Sequence, residues 1–363
     1  MIRAFSAHGL FIFFLLQAPS AFQLNAAQKE TSVVWEPLRL CSWRQIESWG
    51  GGGALIQAIA WSKSNPLALI LGTDRNGIWF SRNGGRTFEP AVGCPLPEIK
   101  AISFAPWDPD TVFCLAGTQD RAPTGAARKE GIWVSHDSGG SWSFLAPVPL
   151  EEGVYGALLL CWSFKDKKVV AAASAGRGVL LSTDGGKRWK WARVGREGWI
   201  CGLCAWKDRL LAVSSEGVFF SKADAFSFRR LESLRNMRFV TSKGPLIASR
   251  GTKAGKIYLA AFERLLSSTD GGETWKVVHK KVGSPGQYFA GVFPDPHNPD
   301  CILATLRGSV KEPTPLVSFD GGKTFRSPKL ISRENRFRPP EVFLPEAVAF
   351  HPSAAGVAVA GID

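Results

Sequence analysis

Cleaving a glycosidic bond takes two carboxylates facing one bond, one as acid and one as base or nucleophile. In this chain of 363 residues one carboxylate stands in a suggestive place: Asp74, in GTDRNG, where the apolar run ALILG ends. Glu216 and Glu263 sit in comparable places further on, but nothing in their spacing singles out either as its partner. A second set of side chains suits anion binding. Arg75, Arg177, Arg264 and Arg307 each lie beside a short apolar run, and a guanidinium fork matches a carboxylate or phosphate. Cys201 and Cys204 form a CxxC, a spacing used for zinc or redox chemistry. There is no second CxxC and no HxxxH to complete a metal set. WICGLCAW reads as an apolar strand, on which residues three apart face opposite sides. Both cysteines are therefore expected to be small buried hydrophobes. There is no HExxH and no GxSxG, and Gly50–Gly53 fits no phosphate loop, so no metal and no cofactor are expected.

These side chains are positioned by a repeat. STDGGKRW (182–189), STDGGETW (268–275), SHDSGGSW (135–142), SFDGGKTF (318–325) and SRNGGRTF (81–88) are variants of one octapeptide, and SKADAFSF (221–228) is a degraded copy. The starts are 39 to 54 residues apart. That period is the length of a four-stranded propeller blade. Each copy follows a short strand such as GIWFS, GIWVS or GVLLS. The paired glycines Gly84–Gly85, Gly139–Gly140, Gly185–Gly186, Gly271–Gly272 and Gly321–Gly322 supply the left-handed backbone of a tight hairpin. The Asp accepts turn amides, and the closing Trp or Phe packs between blades. The octapeptides are read as scaffold.

EAVAFHPSAAGVAVAGID (346–363) repeats the first two strands of a blade. VWEP (34–37) resembles TFEP (87–90), the strand after the first octapeptide. An N-terminal strand that completes the last blade removes an unpaired edge. The expected fold is thus all-β: a single propeller over residues 31–363, with seven blades of four antiparallel strands. The seventh is closed from the N-terminus, and either has three strands or continues beyond this sequence.

The octapeptides resemble the Asp boxes (BNR repeats) of the sialidase superfamily and of the photosystem II stability/assembly-factor family. Sortilin-type and xyloglucanase-type propellers carry them too. The resemblance covers nearly the whole chain after the leader. It implies that the boxes occupy one face of the disc and that function occupies the other, on second-to-third-strand turns and inter-blade loops. That face would hold Asp74, Arg75, Arg177, Arg264 and Arg307, the insertion at 118–130, and Arg333, Arg336 and Arg338. The assembly-factor resemblance implies an arginine patch. The xyloglucanase resemblance makes Asp74 the best catalytic candidate. The sialidase pattern is a poor match: its early Arg-Ile-Pro motif is missing, and only Tyr155, Tyr258 and Tyr288 could serve as the Tyr nucleophile.

Residues 1–27 are expected to be a signal peptide, with Arg3 ahead of the apolar run Leu10–Leu16 and small residues from Ala18. The run is too short to span a bilayer. The net charge of +13 favours anionic partners. No nucleic-acid module is recognisable. The reading is an exported, non-catalytic binding or assembly module for an acidic protein or an anionic glycan. A glycoside hydrolase is the alternative.

Overall fold

The computed structural model describes residues 10–15, 32–39, 55–94, 96–117, 129–150, 159–174, 177–196, 200–222, 225–239, 246–249, 255–283, 285–298, 300–308, 315–327, 329–332 and 347–361. The described strands form an all-β propeller. The one described helix is a single 3-10 turn, Glu232–Leu234.

Sheet I is Ile56–Trp61, Leu69–Thr73, Ile78–Ser81 and Glu89–Pro90, antiparallel and in chain order. Sheets II (Glu98–Phe104 to Ser143–Pro147), III (Leu159–Phe164 to Lys190–Ala192), IV (Ile200–Trp206 to Arg229–Arg230) and V (Ile247–Ser249 to Lys276–His279) repeat that plan. The middle strands are largely apolar and buried, some of them along their whole length, as in Leu69–Thr73, Val112–Gly117 and Gly178–Ser182. A strand that reads as a continuous apolar run must be covered on both faces. Neighbouring sheets supply that cover. One core cluster joins sheets II, III and IV, another joins IV, V and VI, and others join I to II and I to VII. The core is therefore a ring of layers between sheets.

Sheet VI departs from the expected four strands. It has Tyr288–Pro294, Ile302–Arg307 and Leu316–Ser318, and its fourth position keeps only the isolated bridge between Val317 and Arg326. Lys329–Ser332 pairs instead, in parallel, with Ser32–Arg39 in the last sheet.

Sheet VII is built from both chain ends, in the order Lys329–Ser332, Ser32–Arg39, Leu10–Leu15, Val357–Gly361, Ala347–Phe350. The expected N-terminal strand is in this sheet, but it does not touch the C-terminal strands. Leu10–Leu15, from the run read as the core of a leader, lies between them and pairs antiparallel with both neighbours. Sheet VII also meets its neighbours in the ring. Ala349 and Val359 pack on sheet I, and the Gly356 amide donates to Asp295 of sheet VI at 2.7 Å.

Two local expectations need correction. In the second octapeptide the left-handed pair is Ser138 (φ 59°) and Gly139 (φ 98°), not Gly139 and Gly140. Counting from the leading Ser, the fourth and fifth residues take these conformations in all five good copies. Ser138 is held there by Asp110, whose carbonyl accepts its amide at 2.9 Å and whose carboxylate accepts its hydroxyl at 2.6 Å. Cys201 and Cys204, expected on opposite faces, both pack into the core cluster between sheets IV and V, while Ile200 and Leu203 face the other way. A β-bulge between Ile200 and Gly202 resets the alternation. Both are free thiols, and burial pushes Cys201 up to about 12, as suits a small hydrophobe.

Candidate functional site

In the octapeptide turns the polar side chains are taken up by the turn's own hydrogen bonds. Each leading serine of the five good copies is at most 2% exposed. Its hydroxyl accepts the amide of the glycine four residues on, at 2.8–2.9 Å, for Gly85, Gly139, Gly186, Gly272 and Gly322. It donates in turn to Asn83, Asp137, Asp184, Asp270 or Asp320. Those side chains accept amides on the far side of the turn, such as Thr274 N–H at 3.0 Å and Thr324 N–H at 2.9 Å. Desolvation alone would raise the carboxylates. For Asp270 the hydrogen bonds from Thr274, Ser268 and the Glu273 amide outweigh it, and the pKa falls to about 2. Arg188 and Ser182 do the same for Asp184. In the degraded copy the Ser221 hydroxyl donates to the carbonyl of Lys222.

Asp74 lies just past the second strand of sheet I and is 4% exposed. One carboxylate oxygen accepts the Leu55 amide at 2.8 Å, and the Asp74 amide donates back to the Leu55 carbonyl at 3.0 Å. The other oxygen is 3.5 Å from Arg75 Nε. This reciprocal clasp ties the turn to the chain entering the first strand. Neither suggested carboxylate partner is shown facing it. Glu216 accepts the Arg196 amide with both oxygens at 3.1 Å, in a different part of the ring. Glu263 is half of the turn between Ala261 and Arg264 in sheet V.

The four arginines occupy matching topological positions in four sheets. Arg75 and Arg177 lie in second-to-third-strand turns, Arg264 opens a third strand, and Arg307 ends a second strand. Arg75, with a side chain 70% exposed, pairs with Asp74. Arg177 and Arg264 are exposed and have no ion-pair partner among the described residues. Arg307 is half-buried opposite Tyr288. Residues 118–128 of the insertion, and Arg333, Arg336 and Arg338, lie outside the described residues.

Sequence reasoning missed a buried pair. Glu98, 1% exposed, begins the first strand of sheet II, and its carboxylate accepts from Lys100 Nζ at 2.5 Å. The pair straddles a β-bulge between Ile99 and Ala101, so strand alternation in EIKAISF does not reveal it. Lys100 lines a central channel of about 500 Å³, walled by the first strands of all seven sheets. Gln57 Oε1 and Trp162 Nε1, from the same wall, have no hydrogen-bond partner among the described residues.

No protein-family model and no curated protein matches this sequence. Solved structures do match in fold. A GH74 xyloglucanase from Xanthomonas campestris aligns with a TM-score of 0.65 at 17% identity, over 86% of this chain and 51% of that one. The GH74 enzyme of Niastella koreensis aligns at 0.61 and 15%, over 85% and 51%. YCF48 bound to D1 peptide aligns at 0.53 and 16%, over 85% of this chain and 92% of that one. The chain thus spans about half the length of these two GH74 enzymes and nearly all of YCF48, and at these identities what is shared is the propeller fold.

Proposed function

We propose that this protein is an exported binding or assembly module, not a hydrolase. In this reading it is a seven-bladed propeller of the Asp-box type, with sheet VII as the seventh blade, which gives up Leu10–Leu15 when the leader is removed on export. Its working face is the one bearing Arg75, Arg177, Arg264 and Arg307, and its partner is an acidic protein or an anionic glycan. The observation that carries the reading is a contrast. Asp74 is buried and taken up by the Leu55 amide and Arg75, whereas Arg177 and Arg264 stand exposed without ion-pair partners among the described residues. Like-signed groups at equivalent positions of a closed ring raise the potential over its mouth. The likeness to YCF48 over nearly its whole length, including the form bound to a peptide, agrees with a single propeller acting as a binder.

The glycoside hydrolase reading retains one support of its own. The Asp74 turn touches the chain leading to Glu98, through the Gly77 amide and the Pro97 carbonyl at 2.9 Å, so a second buried carboxylate is near in sequence and fold. The double charge reversal Arg177→Glu with Arg264→Glu separates the two. A binder loses capture of a polyanion such as polyglutamate and shows a flatter salt dependence, with an unchanged melting temperature. Intact capture, together with release of sugar from xyloglucan, would replace this reading with the enzyme.

A further inference from the structure

The second-to-third-strand turn of sheet V has an unusual residue in it. Ala261 pairs with Arg264, which leaves Phe262 and Glu263 as a two-residue turn. Such turns need left-handed backbone, and Gly, Asn or Asp usually provides it. Here Phe262 takes a φ of +53°. A bulky side chain in that region is strained, and strain that persists points to use.

The strain holds a ring in place. The Phe262 ring lies nearly parallel to that of Tyr288, 14° between planes and 5.5 Å between centroids. The Arg238 guanidinium sits 4.6 Å from the Phe262 centroid. The Phe262 carbonyl accepts the Phe289 amide at 3.0 Å, which pins the turn to the first strand of sheet VI. Tyr288 opens that strand, opposite Arg307, and Arg264 flanks the turn on the other side. Two half-buried rings and three arginines therefore gather where sheets V and VI meet. Arg238 and Arg264 are exposed, with no ion-pair partner among the described residues.

We infer that the Arg238–Phe262–Tyr288 stack, with Arg264 beside it, is a subsite for a uronate sugar within an anionic glycan. The inference rests on the anion-binding reading of this face and narrows its partner. Phe262 lies in the stack between Arg238 and Tyr288, so the C–H face of a pyranose would pack on the Tyr288 ring that Phe262 backs, and a uronate adds a carboxylate that a guanidinium grips with two hydrogen bonds. A neutral sugar would leave the arginines unused. An acidic peptide would use the arginines but would give no reason to hold a phenyl ring in a strained turn. A guanidinium stacked on a ring is also pre-oriented, with its N–H edge left for a ligand.

The test uses the full chain, an oligogalacturonate, a neutral xylo-oligosaccharide and polyglutamate, with affinity read by calorimetry. Phe262→Asn removes the ring and puts a residue that tolerates left-handed backbone in its place. The expected result is at least tenfold weaker oligogalacturonate binding at an equal or higher melting temperature, with polyglutamate affinity changed less than threefold. Arg238→Gln should also weaken oligogalacturonate binding, and it carries the test if the Asn variant does not fold. Unchanged oligogalacturonate affinity in a folded Phe262→Asn protein overturns the inference. So does an equal loss for polyglutamate, which would make the ligand an acidic peptide. Polyanion binding that depends on Arg177 but not on Phe262 removes this subsite and leaves the arginine face standing. A wild-type chain that binds neither polyanion removes both.

Discussion

Two tryptophans that close octapeptides should differ in energetic weight, and the structure says by how much. Trp142 is 5% exposed in the core between sheets I and II, and its indole N–H donates to the Gly139 carbonyl at 2.9 Å. Trp275 makes the same bond to Gly272 but is only half-buried against the cluster joining sheets IV to VI. A fully buried Trp removes about 200 Å² from water, worth about 5 kcal/mol at roughly 25 cal/mol/Å². Alanine keeps a little of that, so Trp142→Ala is expected to cost about 4 kcal/mol, inside the range of about 3–5 for such truncations. Trp275→Ala, which removes a ring less completely buried, is expected to cost less, about 3 kcal/mol. Urea unfolding followed by far-UV circular dichroism measures both, compared at matched slope. Neither change should alter capture of a polyanion while the protein is folded. Equal losses, or a larger one for Trp275→Ala, would refute the claim that burial between sheets sets the contribution of each octapeptide. A stable Trp275→Ala protein that no longer binds would mean that a site has been mistaken for scaffold.

Asp74→Ala should lower stability by about 1–3 kcal/mol, because it leaves the Leu55 amide without its acceptor; loss of glycan cleavage with stability intact would instead mark Asp74 as catalytic. Asp184 and Asp270 are depressed to about 2, against about 3.9 for an unfolded Asp, so their contribution is complete above about pH 4 and is lost as the pH falls through 2. The drop in melting temperature between pH 4 and pH 2 should therefore flatten in an Asp184→Asn, Asp270→Asn double variant, and an undiminished drop would count against the turn carboxylates. Deleting Ser32–Arg39 should lower the melting temperature by baring two strand edges in sheet VII, and a deletion that melts like the intact chain would show that this strand does not close the ring.

Much of the scaffold was legible because a repeat states its own rule several times. The period gave the strand plan, and the glycines and amide-accepting Asp followed from turn chemistry, though the part of the leading Ser did not. What escaped was whatever a single residue decides locally. The bulge between Ile200 and Gly202 leaves no mark in an apolar run, so the faces of Cys201 and Cys204 were misassigned. Ser138 replaces a glycine because Asp110, 28 residues upstream, holds it from another turn. Nothing in the repeat announces that Lys329–Ser332 pairs with Ser32–Arg39 and not within sheet VI. For the candidate site, residue types could be chosen but not their partners. Asp74 and Glu216 looked alike as free loop carboxylates, and each turned out to grip a backbone amide.

That outcome suggests how to look for function in a repeat protein. Where every blade solves the same problem in the same way, the solution belongs to the fold. The turn after the second strand is solved in sheet I by Thr73, Asp74 and Gly77, and in sheet IV by Ser214 and Gly217, small or polar residues suited to turns. Sheet V solves it with a phenylalanine, which suits the turn badly and the neighbouring tyrosine and arginine well. Local preference and local structure disagree there, and natural sequences concentrate such disagreements where they serve a task. Left-handed Lys165 and Lys207 show the contrast. They too are non-glycine residues in two-residue turns, but each projects a flexible chain that meets the ring just before it, Phe164 or Trp206. Phe262 instead bridges two sheets, stacking on a residue 26 positions away that begins the next inner strand. A turn residue chosen only for its own hairpin has no need of that reach, and it is this reach, not the left-handed backbone that Phe226 shares, that grounds the subsite inferred at the junction of sheets V and VI.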